Sequence, residues 1–372
     1  MIYCDSASTM PIFPNVVNAI KDYYALQLGN PASRHLLGKQ ASDLYDRAVN
    51  KIATYLRALP REFIWTSGAT EANTLAIKTG LETLKARFTD VVLFYHPLCH
   101  KSIIEPARIL AKESNVACEP LKLDCQSHLL NLACLKEQIT KPDQSLILLP
   151  MGNNELGWLD PLEEIWPWVV EHNVWVHLDA AQSLGKIAID FTKIPCQSMS
   201  FSAHKFGGPV GIGGLFLRLR PRKIVKPIFY GGGQQEGRRA GTIPVAMVIG
   251  LSEALISWTD ELRSQLISDK KAIEKCVSTI PGVEILSKGE CLPHILTFLV
   301  EPHLQPGLEN MAKHIAFSEG SACNAYGAEG SHILSYLGYN NEQKRVCRLS
   351  IGPYLQSQDI QKILSHLIHY LR

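Results

Sequence analysis

Two short apolar runs end in groups of opposite charge. The first, V-W-V-H-L-D-A-A-Q-S from Val174, closes on Asp179, with Gln182 three residues further on. The second, S-M-S-F-S-A-H-K-F-G-G-P from Ser198, closes on Ser202, His204 and Lys205 ahead of two glycines. If the runs are neighbouring buried strands, the acid and the lysine meet at the rim of a sheet. A lysine amine there can form a Schiff base with an aldehyde. An acid can keep a pyridine nitrogen protonated so that the ring accepts electrons, which is the chemistry of pyridoxal phosphate. Two buried strands with an exposed lysine explain the same residues equally well.

Other segments carry chemistry of their own. S-G-A-T-E-A-N at 67–73 follows one strand-like run and opens a helix-like one. Gly68 permits close backbone approach there, Thr70 adds a hydroxyl, and helix N-terminal amides bind anions; a plain N-cap by Ser67 or Thr70 is the competing reading. His100 is placed to stack on a flat ring or to serve the fold. Asn154, in N-N-E-L-G, can reach a ligand oxygen or shape a turn. Asn30 and His35 sit in the rigid loop G-N-P-A-S-R-H, where Pro31 biases Asn30 to an extended conformation. G-G-G-Q-Q-E-G-R-R-A-G-T at 231–242 offers Arg238, Arg239 and Thr242 to a phosphate or carboxylate, with spacing unlike a P-loop or G-x-G-x-x-G. Arg348, inside the apolar run C-R-L-S-I-G, wants an anion, either a ligand carboxylate or an internal salt-bridge partner. Cys323 lies in S-E-G-S-A-C-N-A-Y-G-A-E-G-S, a segment too polar for core, and is a candidate nucleophile.

The elements that must position these residues are legible as an alternation. Strands are expected at 63–66, 91–95, 117–121, 145–149, 174–178, 198–202 and 213–217, with helices at 70–86, 101–112, 131–139 and 161–172 between the earlier ones. This pattern predicts an α/β domain on a mainly parallel sheet, whose ligands bind beyond the carboxyl ends of the strands. Helices at 15–28 and 38–57 precede it. After Pro244 a helical stretch to about residue 280, strands at 283–286, 295–300 and 348–351, and helices at 307–314 and 357–371 predict a smaller α+β domain. Residues 15–255 are expected to form the large domain, and 1–14 with 256–372 the small one.

The 372 residues include 37 basic and 35 acidic side chains, a net charge of +2, and 46% hydrophobic residues. That balance suits a globular chain with ample core. No basic tract points to nucleic acid or a membrane surface. No signal-peptide pattern opens the chain and no apolar run reaches the roughly 18 residues of a membrane span. A cytoplasmic setting with reduced thiols is the expectation. The ten cysteines are scattered without a C-x-x-C pair, so a metal site is not expected and most are expected in core.

Ten segments in order resemble the cysteine desulfurases of the NifS/IscS-like group, class-V enzymes of the fold-type I pyridoxal phosphate superfamily. They are D-S-A-S-T, G-N-P-A-S, T-S-G-A-T-E-A-N, C-H-K, N-N-E-L-G, H-L-D-A-A-Q-S, S-F-S-A-H-K-F-G-G-P-V-G-I-G, the glycine-rich 231–242 segment, S-E-G-S-A-C and C-R-L-S-I-G. The resemblance implies that Lys205 carries the cofactor and transfers protons, that Asp179 pairs with the ring nitrogen and Gln182 with the ring hydroxyl, and that His100 stacks on the ring as an acid–base. Thr70, Ser202 and His204 would hold the phosphate, with Ala69 also a cofactor contact and Thr242 reaching in from the partner of a homodimer. Asn154 would lie near substrate and ring oxygen, Asn30 and Arg348 would fix the substrate carboxylate, and Cys323 would accept sulfur. The implied reaction converts L-cysteine to L-alanine and passes a persulfide to an acceptor protein, for iron–sulfur cluster assembly or another thiolation pathway. A different lyase or aminotransferase of the same fold, such as a selenocysteine lyase, is the alternative, and a non-catalytic scaffold a third. The chain departs from the group's pattern at Cys99, where an acid is common before the histidine, at Gly152, where a bulkier residue is usual, at Pro353 and in its opening S-A-S-T.

Overall fold

The computed structural model describes residues 1–220, 223–319, 331–339 and 344–372. The chain folds into two compact units: Ile12–Met151 with Asp160–Ser257, and Met1–Pro11 with Gly152–Leu159 and Trp258–Arg372.

The larger unit is built on a seven-stranded sheet in the order Phe63–Thr66, Gly213–Leu217, Ser198–Ser202, Trp175–Asp179, Ser145–Pro150, Val92–Tyr95, Ala117–Pro120. The last five run parallel to one another, while Gly213–Leu217 is antiparallel to both of its neighbours. The central strands Ser145–Pro150, Trp175–Asp179 and Ser198–Ser202 are buried along their whole length, as strands covered on both faces must be. All seven expected strands are present, with ends within a residue or so. The fold is α/β on a mainly parallel sheet.

One helix sets the geometry of the sheet's functional end. Ala69–Lys85 packs so closely that a Cβ at Gly80 would lie 3.0 Å from both Leu146 δ-carbons and 3.2 Å from Trp175 Nε1. A glycine there lets the helix axis approach the strands. Two turns earlier the same helix presents Asn73, fully buried, to the carboxyl ends of the strands.

The second unit holds a four-stranded antiparallel sheet in the order Ser318–Glu319, Arg345–Ser350, Ile295–Val300, Val283–Ile285. The strand Ile2–Tyr3 pairs in parallel with Ile315–Ala316. The segment Gly152–Leu159, expected in the large domain, belongs to this unit. Its Trp158 bridges to Cys291, Leu159 N–H donates to Glu290 O at 3.0 Å, and Thr297 Oγ1 donates to Glu155 O at 2.5 Å. The helical stretch expected from Pro244 to about 280 is two helices, Val245–Ile256 and Asp260–Val277. Thr259 starts the second by accepting from Leu262 N–H at 3.3 Å, with Asp260 and Glu261 in its first turn, a strong restart signal. Among the described residues no helix is long and apolar enough to cross a membrane.

Candidate active site

Asp179 and Ser202 end adjacent parallel strands, and the register pairs His177 with Ser198 and Asp179 with Ser200. Ser202 therefore projects beyond Asp179, and a single 3-10 turn, Ala203–Lys205, carries His204 and Lys205 past the strand end. The acid and the lysine thus sit at one rim of one sheet. Asp179 is nearly buried, Gln182 and Ser202 are buried, and His204 and Lys205 are half-buried.

Asp179 is tied down on both oxygens. Oδ1 accepts from Ala181 N–H at 2.9 Å, and Oδ2 accepts from the Asn73 side-chain amide at 3.0 Å. The other Asn73 amide hydrogen goes to Ser102 Oγ, also at 3.0 Å. Ser102 in turn lies 2.8 Å from His100 Nδ1, and its backbone N–H donates to the same nitrogen at 3.1 Å. His100 is the N-cap of the helix Lys101–Ser114. With Nδ1 accepting, its ring proton resides on Nε2.

His177 completes this cluster from the face of the strand it shares with Asp179. Nε2 meets Asn73 Oδ1 at 3.0 Å and Nδ1 meets Ser198 Oγ at 2.8 Å, while Ser200 donates its hydroxyl to Asn73 Oδ1. Burial pushes the His177 pKa down to about 4, against an opposing pull from Asp179, so the ring is neutral at pH 7. His204 is likewise lowered to about 4, by burial first and then by Lys205 and Lys186. Lys186 is 1% exposed, and its Nζ donates to Gln182 O at 3.0 Å. Burial first, then Lys205, holds it well below the usual lysine range.

The helix Ala69–Lys85 opens at Gly68, and among the described residues no side chain caps it. The capping role open to Ser67 and Thr70 is therefore not taken up. Instead, Glu71 reaches back to Ser67 N–H at 2.7 Å, Thr70 is exposed, and the first-turn amides at Ala69 and Thr70 lack a side-chain cap. Ser202 Oγ would lie 3.4 Å from a Cβ at Gly68, which puts a hydroxyl beside those amides. The arginines of the glycine-rich segment have internal work. Arg239 Nε pairs with Glu71 at 2.8 Å, and Arg238 donates to the carbonyls of Arg61 and Gln235. Thr242 is exposed. Asn30 is exposed and its Oδ1 accepts from Ala32 N–H at 2.9 Å, while His35 caps the helix Leu36–Leu56. The turn reading of that loop accounts for these contacts.

In the second unit, Arg348 lies in the strand Arg345–Ser350 and is 6% exposed. It donates to Asp5 Oδ1 at 2.8 Å, to Ser8 Oγ at 3.0 Å and to Asn154 O at 2.8 Å. The internal salt bridge is thus formed. Its buried Nε has no partner among the described residues. Asn154 is half-buried and holds the arginine through its carbonyl.

Cys323 lies outside the described residues. Of the other nine cysteines, all free, Cys4, Cys99, Cys196 and Cys347 are buried, four are half-buried and Cys125 is exposed. A polar setting does not distinguish Cys323 from every other cysteine, because Cys125 reaches solvent from the polar turn D-C-Q-S. Burial pushes Cys4 and Cys196 up to about 12 and Cys118 and Cys291 to about 11, which makes these four poor nucleophiles at pH 7. Cys99, where an acid is common, is fully buried with its thiol 3.8 Å from Leu148 O. Burial, then Asp179 and Asp160, raises it well above the ordinary thiol range.

Sequence reasoning misses Asn73, Ser102, His177 and Lys186. A signal existed for His177 alone of the four. H-x-D and S-x-S-x-S put polar side chains on one face of strands that are otherwise apolar, and a buried face of that kind needs a hydrogen-bonding partner.

The aminotransferase class-V family model matches residues 2–363. Cysteine desulfurase IscS of Buchnera aphidicola subsp. Acyrthosiphon pisum (strain 5A) is 34% identical, over 100% of this chain and 93% of its own length. A solved NifS-like protein matches with a TM-score of 0.85 at 26% identity, covering 99% of this chain and 98% of its own. The structure of SspA in complex with cysteine matches at 0.82 and 28% identity, covering 96% and 100%. The chain belongs to the class-V aminotransferase family, in its NifS/IscS-like cysteine desulfurase group.

Proposed function

We propose that this chain is a cysteine desulfurase that uses pyridoxal phosphate, converts L-cysteine to L-alanine and takes the sulfur onto Cys323. The observation that carries the reading is the rim of the parallel sheet. There a carboxylate fixed by donors on both oxygens and a lysine one turn beyond the next strand stand together, in a chain aligned over its whole length with a cysteine desulfurase.

The residues present fit the cofactor that this family employs. The helix start without a side-chain cap and the adjacent Ser202 hydroxyl suit a phosphate, with Ala69, Thr70 and His204 as the other contacts. Asp179 suits a protonated ring nitrogen, Gln182 the ring hydroxyl, and His100 the ring face. Asn154 would attend the ring oxygen, and Thr242 would serve the site of a partner subunit in a homodimer. When bound, pyridoxal phosphate supplies an electrophilic aldehyde and a ring that accepts electrons.

The chain's own groups do the rest. Lys205 Nζ, near the buried Lys186, moves the proton at the substrate Cα. Asp179 stays an acceptor because the groups that meet its two oxygens, Ala181 N–H and the Asn73 amide, are both donors. His100, with Nδ1 held by Ser102, offers its Nε2 edge to the reacting groups. Arg348 and Asn30 would fix the substrate carboxylate. Cys323 Sγ takes the substrate sulfur as a persulfide, and the substrate carbon keeps the bonding pair and is protonated to give alanine. The persulfide then passes to an acceptor protein of iron–sulfur assembly or of another thiolation pathway, in a cytoplasmic setting.

A sulfide assay with wild type, Cys323→Ser and Cys125→Ser side by side tests this. Wild type should release alanine and sulfide in equal amounts with a thiol present. Cys323→Ser should lose sulfide release by roughly 100-fold or more, the scale of removing a catalytic nucleophile, while Cys125→Ser retains it. Wild-type sulfide release by Cys323→Ser would sink the persulfide route.

A further inference from the structure

We propose that Asn73 is a positioning residue of the desulfurase reaction. Its side-chain amide ties the Asp179 carboxylate to the Ser102–His100 pair and fixes the acid and the histidine in one arrangement. The inference rests on the desulfurase reading above and names a residue that reading does not need.

A primary amide offers two hydrogens and two lone pairs. Asn73 gives its hydrogens to Asp179 Oδ2 and Ser102 Oγ, each at 3.0 Å. Its oxygen accepts from the Ser200 hydroxyl and from His177 Nε2, the latter at 3.0 Å. All four capacities are filled by side chains that are themselves buried. The partners also fix which way the amide points. Asp179 can only accept, so the nitrogen must face it. With its nitrogen so placed, the Asn73 oxygen faces His177, whose Nε2 therefore donates and whose Nδ1 accepts from the Ser198 hydroxyl. A flipped amide would set its oxygen against the Asp179 carboxylate.

A chain of hydrogen bonds thus crosses four elements. The Ser102 hydroxyl accepts from Asn73 and gives its own hydrogen to His100 Nδ1. One side chain on the helix Ala69–Lys85 thereby sets both the carboxylate closing the strand Trp175–Asp179 and the ring capping the helix Lys101–Ser114, while Ser200 of the strand Ser198–Ser202 holds its oxygen. Networks satisfied at every member hold their parts in a single arrangement, and those only partly satisfied do not.

A double-mutant cycle tests the tie. In Asn73→Asp the shape is kept and both donors are removed, and Ser102 turns its hydrogen to the new carboxylate, away from His100. Expected is a fall in kcat of about 100-fold, with KM for cysteine changed less than about threefold and the visible circular dichroism of the cofactor band altered. Ser102→Ala removes a single hydroxyl and leaves the backbone N–H bond to His100, and should lower kcat about tenfold with KM unchanged. The double variant should be no slower than Asn73→Asp by more than about twofold, since one link cannot be broken twice. If Asn73→Asp does not fold, Ser102→Ala carries the test, and a wild-type kcat there overturns the proposal. Effects that multiply to about 1,000-fold also overturn it, because independent sites behave so. Wild type without a cofactor band or sulfide release would sink the desulfurase reading and this inference with it, whereas an active wild type with unaffected variants sinks the inference alone.

Discussion

Asn73 and Arg348 are both buried polar side chains at the heart of a sheet-based unit, and they are satisfied in opposite ways. Asn73 is neutral, and every hydrogen and lone pair of its amide meets a partner. Arg348 is charged and meets Asp5, Ser8 and the Asn154 carbonyl, yet its buried Nε meets nothing among the described residues. A buried donor left unmatched costs about 1–3 kcal/mol. The first arrangement has no capacity left for a ligand and acts by holding others. The second retains capacity for an anion, although its salt bridge already supplies one. The difference separates a residue proposed to position others from one proposed to bind substrate.

The sharpest way to break that distinction is Arg348→Ala. If the guanidinium holds the substrate carboxylate, kcat/KM for cysteine should fall about a thousandfold, mostly through KM, since truncating one side of a charge-assisted pair leaves the other charge unmatched. If Asp5 is its whole purpose, Arg348→Ala and Asp5→Asn should reduce stability alike and leave KM near wild type. Steady-state kinetics with chemical denaturation on both variants decides between the two.

The two residues were unequally legible in the sequence. Arg348 announces itself, because an arginine inside C-R-L-S-I-G is a charge in an apolar strand, and both readings of it, ligand contact or internal salt bridge, follow from that placement. Asp179 and Lys205 were legible for a related reason: each ends an apolar run at the point where the α/β alternation places a strand end. Asn73 gives no such signal. In S-G-A-T-E-A-N it reads as one more polar residue in a first helical turn or two, and its partners come from Ser102, His177, Asp179 and Ser200, up to 127 residues away. Side chains that work only through a closed network are fixed by tertiary packing, which local spacing does not encode. The same limit explains the segment 152–159, whose allegiance depends on pairing with residues near 290 and 297.

A pH experiment sharpens the Asn73 side of the comparison. Burial lowers the His177 pKa from 6.5 to about 4. Between those values the unfolded chain binds a proton that the folded chain refuses, so stability falls as pH drops from about 6.5 towards 4. At the bottom of that window the loss traceable to His177 is about 3 kcal/mol. His177→Gln keeps a donor for Asn73 and an acceptor for Ser198 but does not titrate. Its denaturation free energy should therefore decline less than that of wild type between pH 7 and pH 4. Parallel declines for the two proteins would mean that the network tolerates a charged His177.

The smallest expected effect probes the Arg348 side. Gly152 leads into the turn whose Asn154 carbonyl holds the guanidinium, and a Cβ there would lie 2.8 Å from Leu292 Cδ1 and 2.9 Å from Leu292 Cγ. Leu292 is fully buried and its N–H donates to Gly157 O at 2.7 Å, so its backbone is pinned to the same turn. The leucine occupies the space that a bulkier residue at 152 would need. Gly152→Ala should therefore cost about 1 kcal/mol through overpacking, and should raise KM for cysteine slightly if the turn shifts the carbonyl that holds Arg348. An alanine variant as stable as wild type would show that Leu292 can rotate aside. An alanine variant that is less stable but has wild-type KM would show that Asp5 and Ser8 suffice to place the guanidinium without the turn.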